Sequence, residues 1–99
     1  MNAYPTRQEF AAQLGSQFRV DLGDGESLDL TLAEVNDLGE RREGDKVIES
    51  FSLIFEGPPD ILLHQHIFTV SHPDLGEHQI FLVPLGPEGG VLQYEAIFN

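Results

Sequence analysis

The chain has 99 residues, seventeen acidic against five basic for a net charge of −12, with 40% apolar residues, one methionine and no cysteine. That length carries a single domain, 1–99, whose one core hides about 60 to 65% of the unfolded chain's surface. The charge repels phosphate backbones and anionic lipids, so neither nucleic acid nor membrane is an expected partner. The missing cysteines exclude a disulfide framework and a thiolate zinc site, and no apolar run reaches the roughly 18 residues of a spanning helix.

The opening MNAYPTRQEF has no basic stretch followed by an apolar one, so no secretory signal is read and the cytoplasm is the expected compartment. Thr6 and Glu9 then stand in the capping-box spacing, which predicts a helix over about 7–14 with Phe10 and Leu14 on one face and Gly15 as its stop. A helix that short must lie on something. From 16 the apolar period drops to two, predicting strands over about 16–22 and 27–37 joined by a tight turn at Asp24-Gly25. The ligand spacing of a calcium loop is missing from that acidic turn. Val35 falls out of phase with Leu28, Leu30 and Leu32, which marks a bulge between 32 and 35.

Residues 36–46 are polar and contain glycine, fitting an exposed loop or a long hairpin tip in which Arg41 and Arg42 balance Glu40 and Glu43. A strand over about 46–56 follows and stops at Gly57-Pro58-Pro59-Asp60. Three more strands are predicted over about 63–72, 77–85 and 91–98, with turns at Pro73-Asp74-Leu75-Gly76 and Gly86-Pro87-Glu88-Gly89-Gly90. Short links make every pairing antiparallel. The expected fold is mainly β: about six antiparallel strands in a small barrel or two-layer sandwich, apolar on both faces of the later strands, with one short N-terminal helix over an end or edge. The last strand is expected at an edge, where Leu92, Tyr94 and Phe98 would be open to a partner's strand.

All four histidines, His64, His66, His72 and His78, fall within HQHIFTVSHPDLGEH. On a strand His64 and His66 share a face, a geometry that can hold a metal ion. Similarity to cupins would need a Glu four or five residues after the second His, where this chain has Val70 and Ser71. A third ligand would have to come from His72, His78 or an acid. The competing reading puts His64 and His66 partly exposed at a strand start, Phe68 and Val70 in the core, and His72 on local backbone before Pro73. It is preferred, so no metal and no cofactor is assigned.

The serines lack a G-x-S-x-G elbow, and the glycine-rich turn at 86–90 has neither the Lys nor the following helix of a phosphate cradle. Glu49, Glu56 and Glu95 lie within strands and fit a solvated face better than an interior. No catalytic residue is assigned and the chain is not expected to be an enzyme. A small-ligand or glycan-binding barrel would draw its pocket from Tyr94, Phe68 and Phe81.

FAAQLGSQF, LDLTLAEV, ESFSLIFEGP, HPDLG, IFLVPLG and YEAIFN together resemble a family of short bacterial proteins catalogued as a domain of unknown function, across residues 10–99. These motifs are core aromatics, Gly and Pro, with no catalytic signature. The resemblance implies gene neighbourhoods beside tail-fibre or collar-like proteins of phage-tail-like particles, and hence an accessory or assembly role. It also implies Pro and Gly at the positions of His64 and His66, while His72 fits the pattern. The expected function is a non-enzymatic structural or protein-interaction module that binds a protein partner or itself. A metal-binding small β-barrel built on His64 and His66 is the alternative.

Overall fold

Thr6 opens the first element of the computed structural model, which describes residues 4–99. Its hydroxyl accepts from the Glu9 amide (3.1 Å) and Glu9 Oε1 accepts from the Thr6 amide (2.8 Å), the expected capping box. The helix, α1 (Arg7–Ala11), is shorter than the expected 7–14. The Gln13 and Leu14 amides bond three residues back, to Phe10 and Ala11, and this tightened turn leaves Leu14 in solvent while Phe10 stays buried. Gly15, at φ 85°, then turns the chain toward the sheet. Its amide donates to the Leu32 carbonyl and the Leu32 amide to the Ser16 carbonyl, tying the helix end down.

Six strands follow: β1 (Gln17–Gly23), β2 (Glu26–Glu43), β3 (Lys46–Gly57), β4 (His66–His72), β5 (Gly76–Glu88) and β6 (Val91–Phe98). Every pairing is antiparallel, and the order β1-β2-β3-β6-β5-β4 closes on itself through β1 and β4. The sheet is thus one ring and not two stacked layers. Asp24 and Gly25 both have positive φ in the β1–β2 turn, and the register shifts between Leu32 and Glu34, where the bulge was expected. The closing contact of β1 with β4 is brief, with Arg19 opposite Ser71 and Val20 opposite Val70.

β6 is not an edge. It lies between β3 and β5, with Tyr94 opposite both Phe55 and Pro84, and Phe98 opposite Phe51. Pro58 and Pro59 cannot donate to a ladder, so β3 stops and the chain crosses before β4. The β4–β5 hairpin then forms on the far side, and the returning strand fills the slot left beside β3. Residues 36–46 form the hairpin tip of the two alternatives: β2 and β3 stay paired out to Glu43 and Lys46, with Gly44 at φ 63° in the turn. β4 starts at His66 instead of 63. β5 runs past Pro84 to Glu88 because Gly86, at φ 107°, takes up a register shift there and leaves Gly89-Gly90 as the turn.

Inward side chains fill the ring: Phe18, Val20, Leu30, Leu32, Leu53, Phe55, Val70, Leu82 and Tyr94 are almost wholly buried. Phe10 closes one end from α1, its ring 6.2, 5.9 and 5.6 Å from those of Phe18, Phe51 and Phe98. From 37 to 50 the β2–β3 hairpin leaves the ring, because β1 reaches only to Thr31 and β6 ends opposite Phe51. At about 3.3 Å per residue this arm is roughly 20 Å long. The principal extents of 46 × 30 × 23 Å reflect it. No helix among the described residues is long and apolar enough to cross a membrane.

Candidate functional site

The four histidines part company in the fold. His64 sits in the 58–65 connection, exposed and outside β4, so the strand pair expected of it with His66 does not form. His66 begins β4 with its ring edge-on to Phe68 at 5.3 Å. It stands opposite Leu82, whereas His72 stands opposite Gly76 at the other end of the same hairpin. His78 places Nε2 2.7 Å from the Leu75 carbonyl, as a donor within its own turn. Among the described residues no three His, Cys, Asp or Glu side chains gather into a metal-holding group.

His72 has a different task. The Asp74 amide donates to Nδ1 (3.0 Å), which leaves the ring proton on Nε2, 3.0 Å from Ser16 Oγ. That hydroxyl donates in turn to the Gln13 carbonyl (2.7 Å), and the imidazole packs 4.5 Å from the Phe18 ring. The backbone bond expected before Pro73 is present, and the chain of bonds ties the β4–β5 turn to the end of α1. With both ring nitrogens engaged and the side chain buried, His72→Ala is expected to cost about 2–4 kcal/mol from the lost packing and the stranded Ser16 hydroxyl. Urea denaturation measures it; a loss below about 0.5 kcal/mol would mean that the network is idle.

Tyr94, Phe68 and Phe81 do not share a pocket. Tyr94 is wholly buried, Phe68 packs against the core from β4, and Phe81 stands on the outer face at 49% exposure. Glu56 and Glu95 also lie on the outer face, each half-buried, beside the buried Ile54 that is paired between Glu34 and Glu95. Glu49 reaches the Arg7 guanidinium at 3.6 Å, and both are about one-third exposed, so this pair contributes little.

Two surface features remain, and both come from where strands stop pairing. β5 and β6 are bonded from Glu88 and Val91 to Val83 and Glu95 and then splay apart. The gap holds a cavity of about 450 Å³ bordered by Tyr4, Phe81, Ile97, Phe98, Val47 and Glu49. The Tyr4 hydroxyl donates to the Gln79 carbonyl, and its ring meets Phe98 edge-on at 5.1 Å. Beside the gap, Ile67 pairs with Phe81, and Ile97 faces Phe81 across it. All three point outward and about half of each is exposed. Single exposed apolar residues are ordinary; here three of them stand in a row across three strands. Its signal was the apolar residues on both alternations of the later strands.

The second feature is the arm, with Leu38 and Val47 exposed and Arg42 directly across from Val47. Among the described residues it pairs with no other strand. A family model described as a domain of unknown function (DUF6916) matches residues 5–98. No curated protein and no solved structure matches the chain.

Proposed function

For this chain, which belongs to the DUF6916 family, we propose a non-enzymatic protein-interaction module whose contact element is the 37–50 arm. The observation that carries the reading is that this arm leaves the ring and that its two strands pair only with each other among the described residues. A two-stranded hairpin is marginal in water, and its outer edges offer free N–H and C=O groups to another chain. The exposed Leu38 and Val47 add apolar contact area. Binding by strand addition or by side-chain docking uses such elements. The gene neighbourhoods implied by the family resemblance, beside tail-fibre or collar-like proteins, make a component of a phage-tail-like particle the partner of choice, with this chain as an accessory or assembly protein.

Photo-crosslinking in the native host tests this, with the reactive group placed at Leu38 and, separately, at Val47. An adduct with a tail-fibre-like or collar-like component is expected. If both positions give no protein adduct while the chain is folded and abundant, the arm is not a contact element and the reading falls.

A further inference from the structure

β5 changes neighbours partway along its length. Gly76–Leu82 pairs with β4, and among the described residues its pairing with β6 is confined to Val83–Glu88. β6 keeps its bonds to β3 out to Phe98, past the point where it leaves β5 at Glu95. Two strand edges therefore face each other across the cavity, β5 over 76–82 and β6 over 96–98, each laddered on its far side only among the described residues. At about 3.3 Å per residue the longer edge presents roughly 20 Å of main-chain N–H and C=O groups. A side chain stands in for a strand at one of them: the half-exposed Tyr4 donates its hydroxyl to the Gln79 carbonyl.

We infer that this slot receives an extended segment of a partner polypeptide, added as a strand along β5. The inference goes beyond the reading of the arm, since it uses other residues and holds its partner through the main chain. Main-chain groups along an open edge are met in register only by another strand. The slot also sets the alternation of that strand. Its inward side chains meet Ile80, Ala96 and Phe98 at the cavity and so are apolar. Its outward side chains stand between Glu77 on β5 and Glu95 on β6, on a face to which residues 47–99 bring no Lys or Arg. On the inner side, Glu49 is offset by Arg7 at 3.6 Å. The fitting segment therefore alternates apolar residues with Lys or Arg. As it enters, a peptide amide takes over the Gln79 carbonyl and Tyr4 turns aside.

NMR titration of the isotopically labelled chain tests this, with an acetylated and amidated peptide of about nine alternating Val and Lys residues as the probe. Saturable binding below millimolar concentration is expected, with amide shifts concentrated at 77–82 and 96–98. The same peptide N-methylated at its central residues keeps its side chains but loses main-chain donors, and should bind at least about 10-fold more weakly. That comparison needs no variant of the chain. Glu in place of Lys in the peptide should also weaken binding, and Glu77→Lys with Glu95→Lys should reverse this preference in a variant that thermal unfolding shows to be folded. No saturable binding, shifts confined to the arm or to the β1–β4 contact, equal affinity for the N-methylated peptide, or a folded variant with the wild-type preference overturns the inference. Shifts at the same amides on raising the concentration of the chain alone would place a second copy in the slot and overturn it as well. A chain that binds no peptide yet crosslinks through Leu38 to a particle component overturns this inference alone and leaves the reading of the arm standing.

Discussion

Phe10→Ala is expected to cost about 3–5 kcal/mol, a large part of the total stability of a domain of this size. Phe10 is the buried residue of α1, 1% exposed, and its ring is shared among Phe18, Phe51 and Phe98. The five-residue helix has no stability of its own and is held by what this side chain buries. Nor can the site collapse around the smaller residue. The capping box fixes one end of the helix, and the bonds between Gly15, Ser16 and Leu32 fix the other. Chemical denaturation gives the loss. Leu14→Ala, on the exposed side of the same segment, should stay within about 0.5 kcal/mol. A Phe10→Ala loss under about 1 kcal/mol would show that the helix does not close the core.

Tyr94→Ala is expected to cost a similar 3–5 kcal/mol, and Tyr94→Phe about 1–3 kcal/mol. The ring is wholly buried between β3 and β5, and its hydroxyl reaches the 58–65 connection. It accepts from the Leu63 amide (3.0 Å) and donates to the Ile61 carbonyl (3.3 Å). Phenylalanine keeps the packing but strands a buried amide donor, and that loss is what the smaller figure represents. The connection should also become easier to cut with protease in Tyr94→Phe, because this hydroxyl anchors it. Equal stability and equal protease resistance in Tyr94→Phe would exclude the anchoring role.

What could be read from the sequence was local. The Thr6 and Glu9 box, the Asp24-Gly25 turn, the out-of-phase Val35 and the turn before Gly76 each depend on residues a few positions apart, and each is in the fold as expected. What escaped was set by distant pairing. Nothing in the alternation of Leu92, Tyr94 and Phe98 says that β3 lies on one side and β5 on the other, so an interior strand looked like an edge. The same holds for the histidines. His-x-His spacing promises convergence only if both residues are in the strand, and the connection after Pro58 and Pro59 keeps His64 out of it. His72, placed correctly on local backbone, also turned out to bond across to Ser16, a contact between residues far apart in the chain. The arm was one of two readings of residues 36–46. Charged residues that alternate weakly fit a solvated hairpin and a loop equally well.

The brief β1–β4 closure gives the molecule a place to open. Arg19 with Ser71 and Val20 with Val70 are the only backbone pairs of the junction among the described residues, with the His72–Ser16 bond beside them, whereas β4 and β5 are bonded along their length from His66 to Gly76. Local unfolding starts where the fewest bonds must break. Parting that junction turns the ring into an open six-stranded sheet with β1 and β4 as its margins, without disturbing any hairpin. Backbone amides along this line will therefore exchange with solvent before those between β3 and β6. Val20 and Val70, buried in the closed form, are the first core side chains that water reaches.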